Sequence, residues 1–130
     1  MIEKTTVTPE LLKENFIKIY GPGDGIRMFA SPARINIIGE HIDYNGGKVF
    51  PAAIDKYLYC AIRKRADSKI FYNDLFFPGT FEFTTDTDFK FDKANDYANF
   101  LNGILSCMKK RGLKFDTGFD CLIASNVPSA

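Results

Sequence analysis

Ser31-Pro32-Ala33-Arg34-Ile35-Asn36-Ile37-Ile38-Gly39-Glu40-His41-Ile42-Asp43-Tyr44-Asn45-Gly46-Gly47 is the stretch on which the reading of this chain turns. Its apolar part, Arg34 to Ile38, reads as a strand. Glu40, His41 and Asp43 then crowd into one short polar segment. Tyr44 to Gly47 reads as a tight reversal, because Asn and Gly tolerate positive φ. Carboxylates such as Glu40 and Asp43 accept hydrogen bonds from hydroxyl groups, and a charge-assisted bond is roughly twice as strong as a neutral one. That chemistry suits a sugar, and such a site rejects an analogue lacking the hydroxyl because its own acceptor is then left unpaired. A solvated polar turn after a strand is the bland alternative, and residue types alone leave both open. Metal binding is poorly supported: one His and two carboxylates could touch Mg²⁺, but that ion usually takes substrate phosphates as well. No metal site is assigned.

Outward from this segment, Thr8-Pro9-Glu10 predicts a helix start with Thr8 as N-cap. Leu12, Phe16, Ile19 and Tyr20 recur at helical spacing, and Gly21 closes the helix. Pro22 to Gly25 is glycine-rich but lacks the G-x-G-x-x-G pattern and its strand and helix context, so it reads as a connector. Ile26 to Ala30 and Arg34 to Ile38 read as two short strands. Val49 to Ile54 is apolar, and Tyr57 to Ile62 is a longer β-prone run. Ile70 to Phe77 and Thr80 to Thr84 read as hairpin arms around Pro78-Gly79. Asp86 to Lys93 is expected as loop or edge. A helix is expected from about Asn95 to Lys110, with Tyr97, Phe100, Leu101, Ile104, Leu105 and Met108 as one apolar stripe and Gly112 as its end. Phe119 to Ala124 is a last strand. Strand runs bracketing helices without regular βαβ alternation give an α+β domain.

At 130 residues the chain has the size of one domain, and 13 Phe demand a core or interface to hide them. Lys and Arg number 17 against 16 acidic residues, which gives no electrostatic footprint for nucleic acid. The densest basic runs, Arg63-Lys64-Arg65 and Lys109-Lys110-Arg111, read as solvated element ends. Cys60, Cys107 and Cys121 lie far apart in sequence within apolar runs and read as buried reduced thiols. The N-terminal residues contain no apolar leader and no membrane-length run follows, so a cytoplasmic protein without membrane partners is expected.

The quoted segment resembles the galactokinase signature G-R-V-N-L-I-G-E-H-T-D-Y-N-G-G of the GHMP kinase family. Other stretches fit in order: Phe16 to Gly21 is similar to that family's first helix, and Phe50 to Asp55 to the apolar segment after the signature. Tyr97-Ala98-Asn99-Phe100 with Gly103 resembles a W-x-x-Y-x-x-G helix pattern, and Asn126-Val127-Pro128 resembles the lead into the phosphate loop. The resemblance implies a ribosomal protein S5 domain 2-like fold, a mixed or antiparallel sheet with packed helices, with residues 1–130 forming the N-terminal portion of the kinase domain.

It also implies roles. Arg34 would lie near the reacting hydroxyl and keep a catalytic aspartate ionised. Arg34, Glu40, His41 and Asp43 would be substrate-binding, with Asp43 on the ring hydroxyls that distinguish galactose. Tyr97 would match a Trp of the adenine pocket. ATP and Mg²⁺ are implied as cofactors, held mostly by a P-x-x-x-G-L-S-S-S loop, a catalytic aspartate and a C-terminal glycine-rich motif that lie beyond Val127-Pro128-Ser129-Ala130. The parent protein is thus expected to phosphorylate galactose at its anomeric hydroxyl, and the 130 residues alone to be inactive. Surfaces that the rest of the parent would cover are expected to favour self-association. Ala33 stands where the family has Gly, and Ile42 where it commonly has Thr, a change also seen in N-acetylgalactosamine kinases. A kinase for that sugar and a non-catalytic galactose-binding sensor are the rival readings. A mevalonate-type kinase fits less well, since those carry Lys at the place of Arg34 and lack the Asp43 to Gly47 run.

Overall fold

A computed structural model describes residues 6–91, 93 and 97–127. The expected helix start at Asn95, the N-terminal residues 1–5 and the Pro128 to Ala130 segment lie outside them. Thr8 caps α1, Pro9–Tyr20: its hydroxyl accepts from the Leu11 N–H at 3.2 Å. Gly21 ends the helix at φ +81°, its N–H donating to the Ile17 carbonyl. Leu12 and Phe16 are wholly buried, and their i, i+4 spacing is what turns this helix toward the sheet.

Among the described residues five strands follow, ordered β1-β2-β5-β3-β4. They are β1 Arg27–Ile38, β2 Phe50–Lys64, β3 Lys69–Asp74, β4 Phe81–Thr84 and β5 Phe119–Ser125. β3 and β4 form the expected hairpin, while β5 inserts parallel to β3 and antiparallel to β2, making the sheet mixed. α2, Ala98–Lys110, lies between β4 and β5 in sequence, and Gly112 follows it at φ +83°.

Alternation along β5 divides two layers. Leu122 and Ala124 join Ala61, Leu12 and Phe16 under α1. Cys121 joins Tyr72 and Ala98 on the α2 side, where Ile70, Phe89 and Leu105 continue the core. Each aromatic or leucine side chain so buried contributes on the order of 2 kcal/mol.

Several expectations change. The two strands on either side of Ser31-Pro32 are one, β1, with register shifts between Pro32 and Arg34 and between Asn36 and Ile38. Pro32 is tolerated because β1 is an edge strand, where a lost N–H breaks no ladder. The two runs from Val49 to Ile62 likewise fuse into β2, which is 15 residues long. Arg63 and Arg65 are not solvated ends. They clamp Asp120, which is 1% exposed: Arg63 Nη2 donates at 2.9 Å and Arg65 Nη1 at 2.7 Å. Arg63 also donates to the Tyr20 and Gly21 carbonyls at the end of α1 and lies over the Phe16 ring. The expected stripe of α2 divides too, for Leu105 is buried while Phe100 and Ile104 face outward. Cys107 is exposed on that outer face rather than buried.

The β1–β2 ladder is longer than the sheet it belongs to. β5 covers β2 only from Leu58 to Lys64. Asn126 closes that pairing by accepting from the Tyr57 N–H at 2.7 Å and donating its own N–H to the Tyr57 carbonyl. Beyond it, β1 and β2 continue alone as a two-stranded ribbon to the Ile38–Phe50 pair.

Candidate functional site

The ribbon carries the polar segment at its tip. Arg34 lies on β1 opposite Ala53, and Gly39 ends the strand at φ +96°. Gly39 is needed there. A Cβ would stand 2.8 Å from the Lys48 carbonyl oxygen and 2.9 Å from Val49 Cα, both backbone atoms. The chain then turns through Glu40 to Ile42 into a 3₁₀ turn, Asp43–Asn45. Three carbonyls tie this tip together: Gly39 accepts from Ile42, Ile42 from both Asn45 and Gly47, and Asp43 from Gly46. Gly47 packs so closely on the Ile42 side chain that it has no room for a Cβ.

The reversal differs from the one expected for Tyr44 to Gly47. Asn45 stays helical, Gly46 takes φ +76°, and the left-handed non-glycine residue is His41 at φ +60°. His41 is held there by its neighbours. Its Nδ1 shares a 2.7 Å hydrogen bond with the Tyr44 hydroxyl, and its carbonyl accepts from Asn45 Nδ2 at 2.8 Å. A positive φ at a non-glycine residue costs free energy that such contacts must offset. Tyr44 and Asn45 are legible only as turn residues, and no helical spacing could have found the His41–Tyr44 pair, since His41 precedes the 3₁₀ turn at a left-handed φ.

Glu40, His41 and Asp43 all fall within this one exposed tip, and Arg34 lies on the strand leading into it. Among the described residues, Arg34, Glu40 and Asp43 form no ion pair. Two free carboxylates beside an oriented imidazole can accept hydrogen bonds from several hydroxyls at once.

Residues 14–64 match the family described as the galactokinase galactose-binding signature. The chain is 36% identical to galactokinase of Bacillus subtilis over 121 residues, which is 92% of this chain and 31% of that protein. It is 42% identical to galactokinase of Streptococcus suis over 122 residues, again 31% of the relative. The crystal structure of Lactococcus lactis galactokinase complexed with galactose superposes with a TM-score of 0.84 at 36% identity, covering 93% of this chain and 31% of that one. The chain belongs to the galactokinase family. It spans about a third of the length of the relatives it matches. Methanococcus jannaschii mevalonate kinase, at 17% identity and a TM-score of 0.67, shares the fold.

The fifth residue singled out for a galactokinase role, Tyr97, lies elsewhere. It sits at the start of α2, its ring 4.7 Å from Phe81, 5.4 Å from Phe77 and 5.9 Å from Tyr72. Burial pushes its hydroxyl pKa up. Those partners belong to β3, β4 and their loop, whereas the signature hangs from β1 at the opposite edge of the sheet. Tyr97 therefore does not join the other four.

ATP phosphates and Mg²⁺ need different surroundings from those of the tip. A phosphate site of the helix-terminal kind needs free N–H groups at the opening of a glycine-rich turn. Here α1 opens on Thr8-Pro9, with one of those N–H groups already taken by the Thr8 hydroxyl, and α2 opens on Tyr97-Ala98. Among the described residues no three His, Cys, Asp or Glu side chains gather where they could hold a metal ion. Neither helix opening among the described residues fits a nucleotide phosphate.

Proposed function

We propose that the parent protein is an ATP-dependent galactokinase forming galactose 1-phosphate, and that this chain is its N-terminal portion and supplies the sugar site. The observation that carries the reading is the ribbon tip, where Glu40, Asp43 and an oriented His41 stand in the segment matching the galactose-binding signature. In this reading Glu40, His41 and Asp43 take the ring hydroxyls, and Asp43 selects for galactose. Arg34, on the strand below, lies beside the anomeric hydroxyl and holds a catalytic aspartate of the parent in its charged form. The phosphate loop, the Mg²⁺ ligands and that aspartate come from the rest of the parent, so the 130 residues alone do not transfer phosphate. Tyr97 is assigned to the adenine side of the site only if the remainder of the parent reaches the β3–β4 edge.

The test is a galactose 1-phosphate assay on the parent protein and on this chain, with N-acetylgalactosamine as a second substrate. Product from the parent with galactose and none from the chain supports the reading. Turnover of N-acetylgalactosamine in preference would reassign the sugar, and sugar binding without turnover in the parent would make it a sensor.

A further inference from the structure

Cys60 and Cys121, 61 positions apart in sequence, have their sulfur atoms 3.7 Å apart. The register explains the approach. Cys60 on β2 is opposite Ile123, and Cys121 on β5 is opposite Ile62, so the two cysteines are diagonal neighbours on one face of an antiparallel pair. That face is turned toward α2, where both pack with Tyr72, Ala98 and Ile123. Their exposures differ usefully. Cys60 is half-buried and within reach of solvent, whereas Cys121 is 5% exposed.

We propose that Cys60 and Cys121 are a modification site, a dithiol that a peroxide oxidises to a reversible disulfide between β2 and β5. The Cys60 thiolate attacks one peroxide oxygen, the O–O bond breaks, and water leaves with the thiol proton, giving a sulfenic acid at Cys60. The Cys121 sulfur then attacks the Cys60 sulfur, the S–O bond breaks, and a second water leaves. Two thiols lose two electrons and two protons to one peroxide, which is reduced to two waters. The division of roles follows from access: the half-buried thiol meets the oxidant, and the buried one resolves it. The hydrogen bond from Cys121 lowers the Cys60 pKa against the raising effect of burial, and the same bond and burial raise that of Cys121.

Diagonal partners across an antiparallel pair ordinarily lie beyond the usual Cα span of a disulfide, so closing the 3.7 Å gap between the sulfurs draws β2 and β5 together, and the strained bond is of the easily reduced kind. Its place gives it a consequence. β2 runs from this pair directly into the ribbon that carries Arg34's partner strand and the polar tip.

The experiment treats the whole protein with a small excess of hydrogen peroxide, alkylates it under denaturing conditions and maps its peptides by mass spectrometry. The expected result is a Cys60–Cys121 disulfide in most molecules, with loss of both free thiols and their return with dithiothreitol, while Cys107 is alkylated. In Cys121→Ser the reaction stops at the sulfenic acid, which dimedone traps at Cys60. Separate alkylation of Cys60 and Cys121 after peroxide treatment overturns the proposal, as does their conversion to sulfinic acids without a linked peptide. The wild-type map decides the matter whether or not Cys121→Ser folds.

Discussion

The Tyr44 hydroxyl and Nδ1 of His41 lie 2.7 Å apart, and this bond fixes the imidazole of a residue that the backbone holds at φ +60°. Tyr44 is otherwise 72% exposed, so its ring does little for the core. Tyr44→Phe is therefore expected to leave stability within about 0.5 kcal/mol of wild type. In the parent enzyme it should raise the KM for sugar up to about tenfold, the worth of one hydrogen bond of about 1 kcal/mol, with kcat little changed. Steady-state kinetics and a urea titration of the same variant check both halves. An unchanged KM would remove His41 orientation from the account of binding.

Gly39 makes a second claim on the same tip. Its φ of +96° and the backbone atoms under 3 Å from a hypothetical Cβ leave Gly39→Ala no local escape. The expected outcome is a cost of about 1–3 kcal/mol concentrated in the ribbon tip. Hydrogen exchange should report it as lost protection between Gly39 and Val49, with β3 and β5 unaffected.

Asp120 is the opposite kind of acid, buried and doubly paired. Asp120→Ala removes the carboxylate shared by Arg63 and Arg65, whose side chains are 14% and 27% exposed, and leaves Arg63 only the Tyr20 and Gly21 carbonyls and Arg65 only Asp67. Breaking a buried pair from one side costs about 3–5 kcal/mol, a large share of the roughly 5–15 kcal/mol that holds a domain together. Arg65→Ala should cost nearer 1 kcal/mol, since Arg65 is the more exposed and Arg63 remains on Asp120. Urea denaturation of the two variants gives the ordering, and equal losses would contradict it.

The contrast between these acids shows what the sequence could reveal. α1 was legible from Thr8-Pro9 and the Leu12–Phe16 spacing, and the β3–β4 hairpin from Pro78-Gly79, because local propensity and burial agree there. Pro32 makes β1 look like two strands in sequence, and only the sheet order shows that an edge position permits it. Asp120 sits in an apolar run, Cys121-Leu122 after Phe119, and nothing local says that two arginines from β2 and its end meet it. Glu40, His41 and Asp43 are legible as a cluster because they lie within four consecutive residues, while the His41–Tyr44 bond depends on the backbone twist at His41. Long-range register also set the Cys60–Cys121 approach, which the sequence separation conceals.

Acid should reveal a third charge pair. The hydrogen bonds from Arg65 hold the Asp67 carboxyl down to about 2, below the usual carboxylate range, with the Lys69 N–H adding to the effect. A carboxyl depressed in the folded state contributes stability above its unfolded pKa of about 3.9, and that contribution fades as the pH falls toward 2. The urea midpoint should accordingly decline between pH 4 and 2, and Asp67→Asn should flatten part of that decline. The effect is small because Asp67 is exposed and water screens the pair. An identical decline in wild type and variant would show that the pair contributes nothing.

The ribbon that presents the polar tip also leaves apolar side chains in water. Ile35, Ile37, Ile38 and Phe50 are 51%, 58%, 70% and 60% exposed, and they lie beyond the reach of β5. A two-stranded ribbon is marginal by itself, and its apolar side chains are more stable out of water. The 130-residue chain is therefore expected to self-associate through this ribbon with rising concentration. Ile38 and Phe50 are paired at the end of the ladder, so Phe50→Lys places a charge on the exposed patch without touching either core layer. Sedimentation velocity should show wild type shifting to larger species over a concentration series that leaves Phe50→Lys monomeric, with equal thermal stability in the dilute limit. A wild type that stays monomeric throughout would mean that the ribbon's apolar faces are tolerated in water, and equal association of both proteins would move the contact to the outer face of α2 around Phe100 and Ile104.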